Sequence, residues 1–190
     1  MNTAATQEKM RFLKLFGMEH AYKTLLESNS PGLTNDETVA HLIEAEWEDR
    51  QFRKTKRLTR MAGFRNRTAL AEIDFTQERG LNKSEFLRLA EGHWISTGKV
   101  MIICGPTGVG KSYLAQALGS QACSLGFSTI YFNCSKLFPL LKQKRSDGSY
   151  HRLINRIAKS SLLVLDDFGL LALEVQDRMA LLARISHTSN

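Results

Sequence analysis

The sequence has few of the features that mark a cross-linked, metal-binding or membrane-embedded protein. Its three cysteines, Cys104, Cys123 and Cys134, are odd in number and lack metal-ligand spacing. They lie in or beside apolar segments, so we expect buried thiols rather than a disulfide or a zinc site. No apolar run approaches the length of a bilayer-spanning helix, and the first ten residues are polar. We therefore expect no signal peptide, no membrane anchor and a cytoplasmic location.

Proline is scarce as well, with three residues in 190, and the composition is that of an ordinary globular protein. Hydrophobic residues make up 43% and charged residues 24%, which argues against a disordered chain. The length favours one domain, or one domain plus a small appendage. Lysine and arginine outnumber the acidic residues by 26 to 19, giving a net charge of +7. Such a balance suggests a polyanionic partner.

The most specific segment fits the phosphate-binding loop G-x-x-x-x-G-K-[ST] at every fixed position. It consists of Gly105, Pro106, Thr107, Gly108, Val109, Gly110, Lys111 and Ser112. The apolar run 100–104 before it predicts a buried strand, and the helical pattern after Lys111 predicts a helix capped by Gly126. Backbone N–H groups of such a loop surround phosphate oxygens, while Lys111 adds a point charge and Ser112 can ligate Mg²⁺. The segment predicts ATP binding.

A second apolar run, residues 161–165, ends in the carboxylates Asp166 and Asp167. In an open parallel sheet the carboxyl ends of strands face the ligand crevice, so these residues are expected to meet ATP and Mg²⁺ there. Asp166 would hold the metal through its water shell, and Asp167 would polarise the attacking water. The alternative is a turn or helix-capping aspartate after a buried strand. The upstream phosphate-binding loop favours the catalytic interpretation.

The N-terminal region is predicted to be helical and basic. A first helix precedes a break at 28–32, and the capping box Thr34-Asn35-Asp36-Glu37 starts a second helix that runs to about Met61. One face of this helix changes from apolar to cationic, and the segment 50–67 contains no acidic residue. The candidate DNA-binding residues on this face are Arg50, Arg53, Lys54, Arg57 and Arg60. The alternative is a solvated helix in which Glu46 pairs with Arg50 and Asp49 with Arg53.

A second basic cluster lies around a break at 146–149, after a predicted strand over 127–132 and a helix that Ser135 can cap. Its candidate DNA-binding residues are Lys142, Lys144, Arg145 and Arg152, with His151, Arg156 and Lys159 nearby. Tyr150 among them could stack on a base. The alternative is two ordinary solvated helix faces.

Together these segments resemble the IstB-like family of transposition helper ATPases, in the AAA+ group and close to the DnaC-type helicase loaders. The likeness rests on Gly105–Ser112, Tyr131–Leu137, Ala158–Ser160, Leu162–Gly169, Ile73–Phe75 and the basic helical N-terminus. It implies an α/β fold: a P-loop NTPase of the AAA+ type, with three α/β/α layers around a parallel sheet, after a small helical domain. The divisions are 1–68 (helical, DNA or partner binding), 69–98 (connector) and 99–190 (ATPase core).

The resemblance also implies a function and further site residues. An ATP-driven homo-oligomer would assemble on DNA and deliver it to the transposase of the same element. Ile73 and Phe75 would border the adenine. Alternatives are a helicase loader, a truncated inactive DNA-binding remnant or, from another class, a small-molecule kinase.

Two departures from the family pattern affect these expectations. Asp167 stands where many AAA+ ATPases have glutamate, so hydrolysis is expected to be slow. Similar proteins continue past Asn190 through a sensor strand, an arginine finger and a helical lid, whereas residues 175–186 here predict one helix. The chain therefore resembles a C-terminally truncated form, with an incomplete core and poor turnover.

Overall fold

A computed structural model describes residues 3–28, 32–66, 68–76 and 80–168. The predicted helix over 175–186 lies outside this part. The helices, in chain order, are α1 (Thr3–Phe12), α2 (Phe16–Ser28), α3 (Asn35–Ala62), α4 (Lys83–Ala90), α5 (His93–Ser96), α6 (Lys111–Ser124), α7 (Cys134–Ser146) and α8 (Tyr150–Ala158). The strands are β1 (Thr129–Asn133) and β2 (Leu162–Asp166), and a 3₁₀ turn spans Leu70–Glu72. No described helix is long and apolar enough to cross a membrane.

Internal contacts divide the chain into two units, and the boundary falls inside α3, between Lys56 and Arg57. The last turns of α3 therefore belong to the second unit, together with the phosphate-binding loop. The predicted division at residue 68 remains a prediction.

In the first unit, α2 and α3 approach closely at Gly17. A Cβ atom at this position would lie 2.3 Å from the carbonyl oxygen of Ala45, so only glycine fits. The predicted capping box at the start of α3 is confirmed, because the backbone N–H of Thr34 donates to Glu37 (2.7 Å) and that of Glu37 donates to the Thr34 hydroxyl (3.2 Å).

The predicted first helix is instead two helices, α1 and α2. Lys14 between them has φ 59°, a left-handed conformation that interrupts the helix. The apolar half of the α3 face is largely exposed, with Val39, Ile43 and Trp47 each more than half accessible.

In the second unit β1 and β2 form a parallel pair, with Thr129 opposite Leu162 and Asn133 opposite Asp166. Helices α7 and α8 make the connection that two parallel strands require. Both strands end at the same edge, so Asn133 and Asp166 lie side by side where a ligand crevice is expected.

The prediction of a strand over residues 100–104 is wrong for the described structure. This segment pairs with no described strand, and the side chains of Val100 and Ile102 are 73% and 80% exposed. An apolar run becomes a strand only when another strand supplies hydrogen-bond partners. The sequence of the run itself does not specify whether such a partner is present. For the same reason Cys104 is exposed, contrary to prediction, whereas Cys123 and Cys134 are buried.

The connector packs on α6. Ile73, Phe86 and Ala90 form one buried cluster with the α6 residues Leu114, Ala117 and Leu118. Gly126, with φ 89°, ends α6 as predicted, and the N–H of Phe127 donates to the carbonyl of Ala122. Helix α6 is thus held by packing along its first half and by a backbone hydrogen bond at its C-terminus.

Candidate nucleotide-binding site

The phosphate-binding loop leads directly into the N-terminus of α6. Gly110 is the N-cap and Lys111 the first helical residue, so the free N–H groups of the first turn face the loop. Gly108 and Gly110 have φ of 89° and 88°, a left-handed conformation that favours glycine. The Lys111 ammonium donates to the Pro106 carbonyl at 2.6 Å, within the loop. This arrangement provides N–H donors and a cation at one place, as phosphate binding requires.

The two predicted metal-binding side chains meet. The Ser112 hydroxyl donates to Asp166 Oδ1 at 2.7 Å, although 54 positions separate them in the chain. Ser112 lies in the first turn of α6 and Asp166 ends β2. The pair joins a hydroxyl and a carboxylate, the hard oxygen ligands that Mg²⁺ prefers, so the residues present fit this metal.

Asp166 has a further partner that the sequence reasoning missed. The Tyr131 hydroxyl, from the middle of β1, donates to Asp166 Oδ2 at 2.6 Å. Both carboxylate oxygens are therefore held, one by Ser112 and one by Tyr131. Burial, this hydrogen bond and the negative charges of Asp166 and Asp167 raise the pKa of Tyr131, which stays a hydrogen-bond donor at neutral pH.

Asp167 is held separately. The Asn133 side-chain amide donates to Asp167 Oδ2 at 2.6 Å, and Asp167 itself has φ 55°. Asn133 also caps α7, because its side-chain oxygen accepts the N–H of Ser135 at 3.1 Å. The cap predicted at Ser135 therefore lies two residues earlier. Asn133 could have been found as a capping residue directly after a predicted strand.

Cys134 lies next to this pair of carboxylates. Burial and the negative charges of Asp166 and Asp167 raise the pKa of the Cys134 thiol to about 11. A thiol with that pKa remains protonated at neutral pH, so it acts as a packing group.

Ile73 and Phe75, expected at the adenine, belong to the apolar cluster that includes residues of α6. Ile73 is 7% exposed, while Phe75 is partly buried and makes an edge-to-face contact with Phe86. Met101 and Ile103, from the segment that enters the loop, pack against the same cluster. The cluster includes Leu114, two residues after the end of the loop, and adenine contact remains a prediction.

A buried glutamine connects the loop helix to the chain that follows α3. Gln116 is 1% exposed, and its side-chain oxygen accepts the N–H groups of Arg65 (2.9 Å) and Asn66 (3.1 Å). Its amide donates to the carbonyl of Ser112 at 3.1 Å. Phe64 packs on the Tyr131 ring, with centroids 6.1 Å apart. The chain just after α3 thus contacts α6 through Gln116 and β1 through Tyr131.

Several predicted DNA-binding residues have partners within the protein. Arg50 pairs with Glu46 at 2.6 Å and Arg53 with Asp49 at 2.7 Å, as the alternative interpretation expected. Glu46 is also the acceptor for the N–H groups at the start of α2, from Gly17 (2.9 Å) and Met18 (3.2 Å).

In the second basic cluster, Lys144 pairs with Asp147 at 3.2 Å, and the Arg145 guanidinium lies 4.9 Å from the Tyr150 ring centre. The other candidates make no ion pair with a described residue. They are Lys54, Arg57, Arg60, Lys142 and Arg152.

Comparison with known proteins agrees with this geometry. Residues 8–190 match the family model described as IstB-like ATP binding protein. The chain belongs to this family. It is 39% identical over 178 residues to a Sinorhizobium fredii protein whose name describes it as an insertion sequence ATP-binding protein. That alignment covers 93% of this chain and 73% of the relative.

A second relative, named for ATP binding in insertion sequence IS1162 of Pseudomonas fluorescens, is 37% identical over 186 residues, or 96% of this chain and 80% of that protein. The predicted α/β P-loop fold is confirmed by the family and agrees with the parallel strand pair.

Proposed function

We propose that this protein is an ATPase that assists transposition: it binds ATP with Mg²⁺, assembles on DNA and delivers that DNA to the transposase of the same element. The observation that carries the proposal is the contact between Ser112 and Asp166 beside the glycine loop. The names of its relatives, which are insertion sequence ATP-binding proteins, supply the biological setting.

Each residue of the site has a role in this proposal. The first-turn N–H groups of α6 and the Lys111 ammonium bind the β- and γ-phosphates. Ser112, and Asp166 through the metal's water shell, would hold Mg²⁺, which would neutralise charge on the phosphate oxygens. Asp167 orients water, with its carboxylate fixed by Asn133. Because Asp167 is one methylene shorter than glutamate, we expect slow hydrolysis.

Nucleotide titration tests the site directly. Lys111→Ala should abolish binding of a fluorescent ATP analogue, because it removes the loop's only side-chain cation. Lys99→Ala is the matched control, since Lys99 is an exposed lysine in the segment that enters the loop. Equal affinity of Lys111→Ala and the unsubstituted protein would contradict the assignment.

The proposed partners need separate assays. Phosphate release with DNA and no other acceptor distinguishes an ATPase from a small-molecule kinase. Asp167→Asn should slow this release while leaving nucleotide affinity unchanged. Sedimentation with DNA tests the homo-oligomer, and pull-down with the transposase or with a replicative helicase tests which partner is bound.

A further inference from the structure

The second unit contains a basic cavity away from the phosphate-binding loop. It has a volume of about 440 Å³ and lies between the last turns of α3, the start of β1 and helix α8. Among the described residues, three cations line it, Arg152, Arg156 and Lys159, and no carboxylate does. We propose that this cavity binds the phosphate backbone of a nucleic acid. The proposal rests on the DNA-binding part of the proposed function and gives it a location.

The cations form a row along one helix face. Arg152 and Lys159 are seven residues apart, which places them within about 20° of the same direction around the helix axis. They are separated by roughly 10 Å along that axis, with Arg156 between them. One strand of a duplex presents a phosphate about every 3.4 Å of axis, so the row spans roughly three phosphates.

Two of these cations are available. In the described structure Arg152 and Lys159 are exposed and make no ion pair or side-chain hydrogen bond. The third, Arg156, donates to the Met61 carbonyl at 2.8 Å, which fixes α8 against the end of α3. Arg57 and Arg60 belong to the same last turns of α3, although the α3 residues that line the cavity are Leu58 and Met61.

The remaining walls favour a nucleic acid over a free phosphate ion. Leu58, Met61 and Ile130 form an apolar surface beside the cations, suited to sugar and base. The hydroxyl of Ser160 is already engaged with the Ile157 carbonyl, and that of Ser128 with Ser161. The cavity therefore offers a row of exposed cations rather than a closed set of convergent donors. A polyanion with evenly spaced charges complements such a row.

The test is a double substitution, Arg152→Ala with Lys159→Ala. Both side chains are exposed, so the fold should be retained, and Arg156 is left in place because it joins two helices. Lys83→Ala with Arg88→Ala on α4 removes the same charge elsewhere and is the matched control. Binding of a labelled duplex is measured by fluorescence anisotropy at several salt concentrations.

We expect the slope of log K against log salt to fall by about two for the cavity variant, since each phosphate contact contributes about 0.9. At 0.1 M salt this corresponds to an affinity loss on the order of 50-fold. The α4 control should keep the original slope. Thermal melting checks that both variants are folded.

Each other outcome has a defined meaning. An unchanged slope and affinity in the cavity variant would overturn the inference, while absence of DNA binding by the unsubstituted protein would overturn the proposed function as well. Inorganic phosphate and polyglutamate are titrated as competitors against the duplex. If either binds the unsubstituted protein and loses affinity in the cavity variant while the DNA slope stays the same, the occupant is free phosphate or an acidic protein segment, and the inference is wrong.

Discussion

Removal of the Tyr131 hydroxyl should weaken the binding of Mg²⁺ at the nucleotide site. Tyr131→Phe keeps the ring that packs on Phe64 and deletes only the donor that lies 2.6 Å from Asp166 Oδ2. A hydrogen bond to a charged group contributes about 1.5–3 kcal/mol net. Since about 1.4 kcal/mol corresponds to a factor of ten, the loss converts to roughly 10- to 150-fold. Groups that orient metal ligands typically change metal affinity by about 10- to 100-fold when removed.

The assay is a Mg²⁺ titration of fluorescent ATP binding at fixed protein and nucleotide concentrations. We expect half-saturation at roughly 10- to 100-fold more Mg²⁺ for Tyr131→Phe, with nucleotide binding in the absence of Mg²⁺ unchanged. Tyr113→Phe is the control, because its hydroxyl also donates to a carboxylate, that of Glu72 at 3.2 Å. A Tyr131→Phe curve that overlays the original would refute a positioning role for Tyr131.

Three further predictions concern the groups that hold the fold. Gln116→Ala should lower the free energy of unfolding by about 2–4 kcal/mol, because two N–H donors lose their acceptor, and an unchanged urea midpoint would contradict this. Gly17→Ala should destabilise the first unit by about 1–3 kcal/mol through the clash with Ala45, with loss of helical circular dichroism at a lower temperature. Burial raises the pKa of Glu46, but hydrogen bonds from Arg50 and from the Met18 and Gly17 N–H groups outweigh it and hold that pKa below its ordinary value of 4.5. Ionised Glu46 therefore stabilises the protein above about pH 4.5, and this stabilisation is lost as the pH falls through the lowered pKa. The difference in free energy of unfolding between the unsubstituted protein and Glu46→Gln should accordingly close on acidification. A difference that does not change with pH would show that the charge is not responsible.

The parts of the site that follow from local patterns could be predicted. The glycine loop carries its geometry in consecutive residues, and the capping box at Thr34 and Glu37 fixes the start of α3 from four positions. The apolar run before Asp166 predicts β2 with similar directness. In each case the interacting residues are neighbours in the chain, or the local pattern is typical of a single kind of secondary structure.

The parts of the site that depend on contacts between residues far apart in the chain could not be predicted. The apolar pattern of residues 100–104 predicts a strand, yet strand formation requires a partner strand that no local pattern specifies. Tyr131 and Gln116 look like ordinary residues of a strand and a helix. Their roles come from the side chains that they meet 35 and about 50 positions away. The packing of α8 on the last turns of α3, where the Arg156 guanidinium donates to the Met61 carbonyl, could not be predicted for the same reason.

Strand β1 borders both the basic cavity and the candidate nucleotide-binding site. Ile130 and Tyr131 are consecutive, so their side chains leave the strand on opposite faces: one lines the basic cavity and the other bonds to Asp166. A displacement of β1 at one face is therefore also a displacement at the other. Linkage makes any resulting coupling free energy reciprocal: if ATP with Mg²⁺ strengthens nucleic-acid binding tenfold, about 1.4 kcal/mol, then nucleic acid strengthens nucleotide binding by the same factor. The same coupling free energy can thus be measured by titrating the ligand at either face of this five-residue strand.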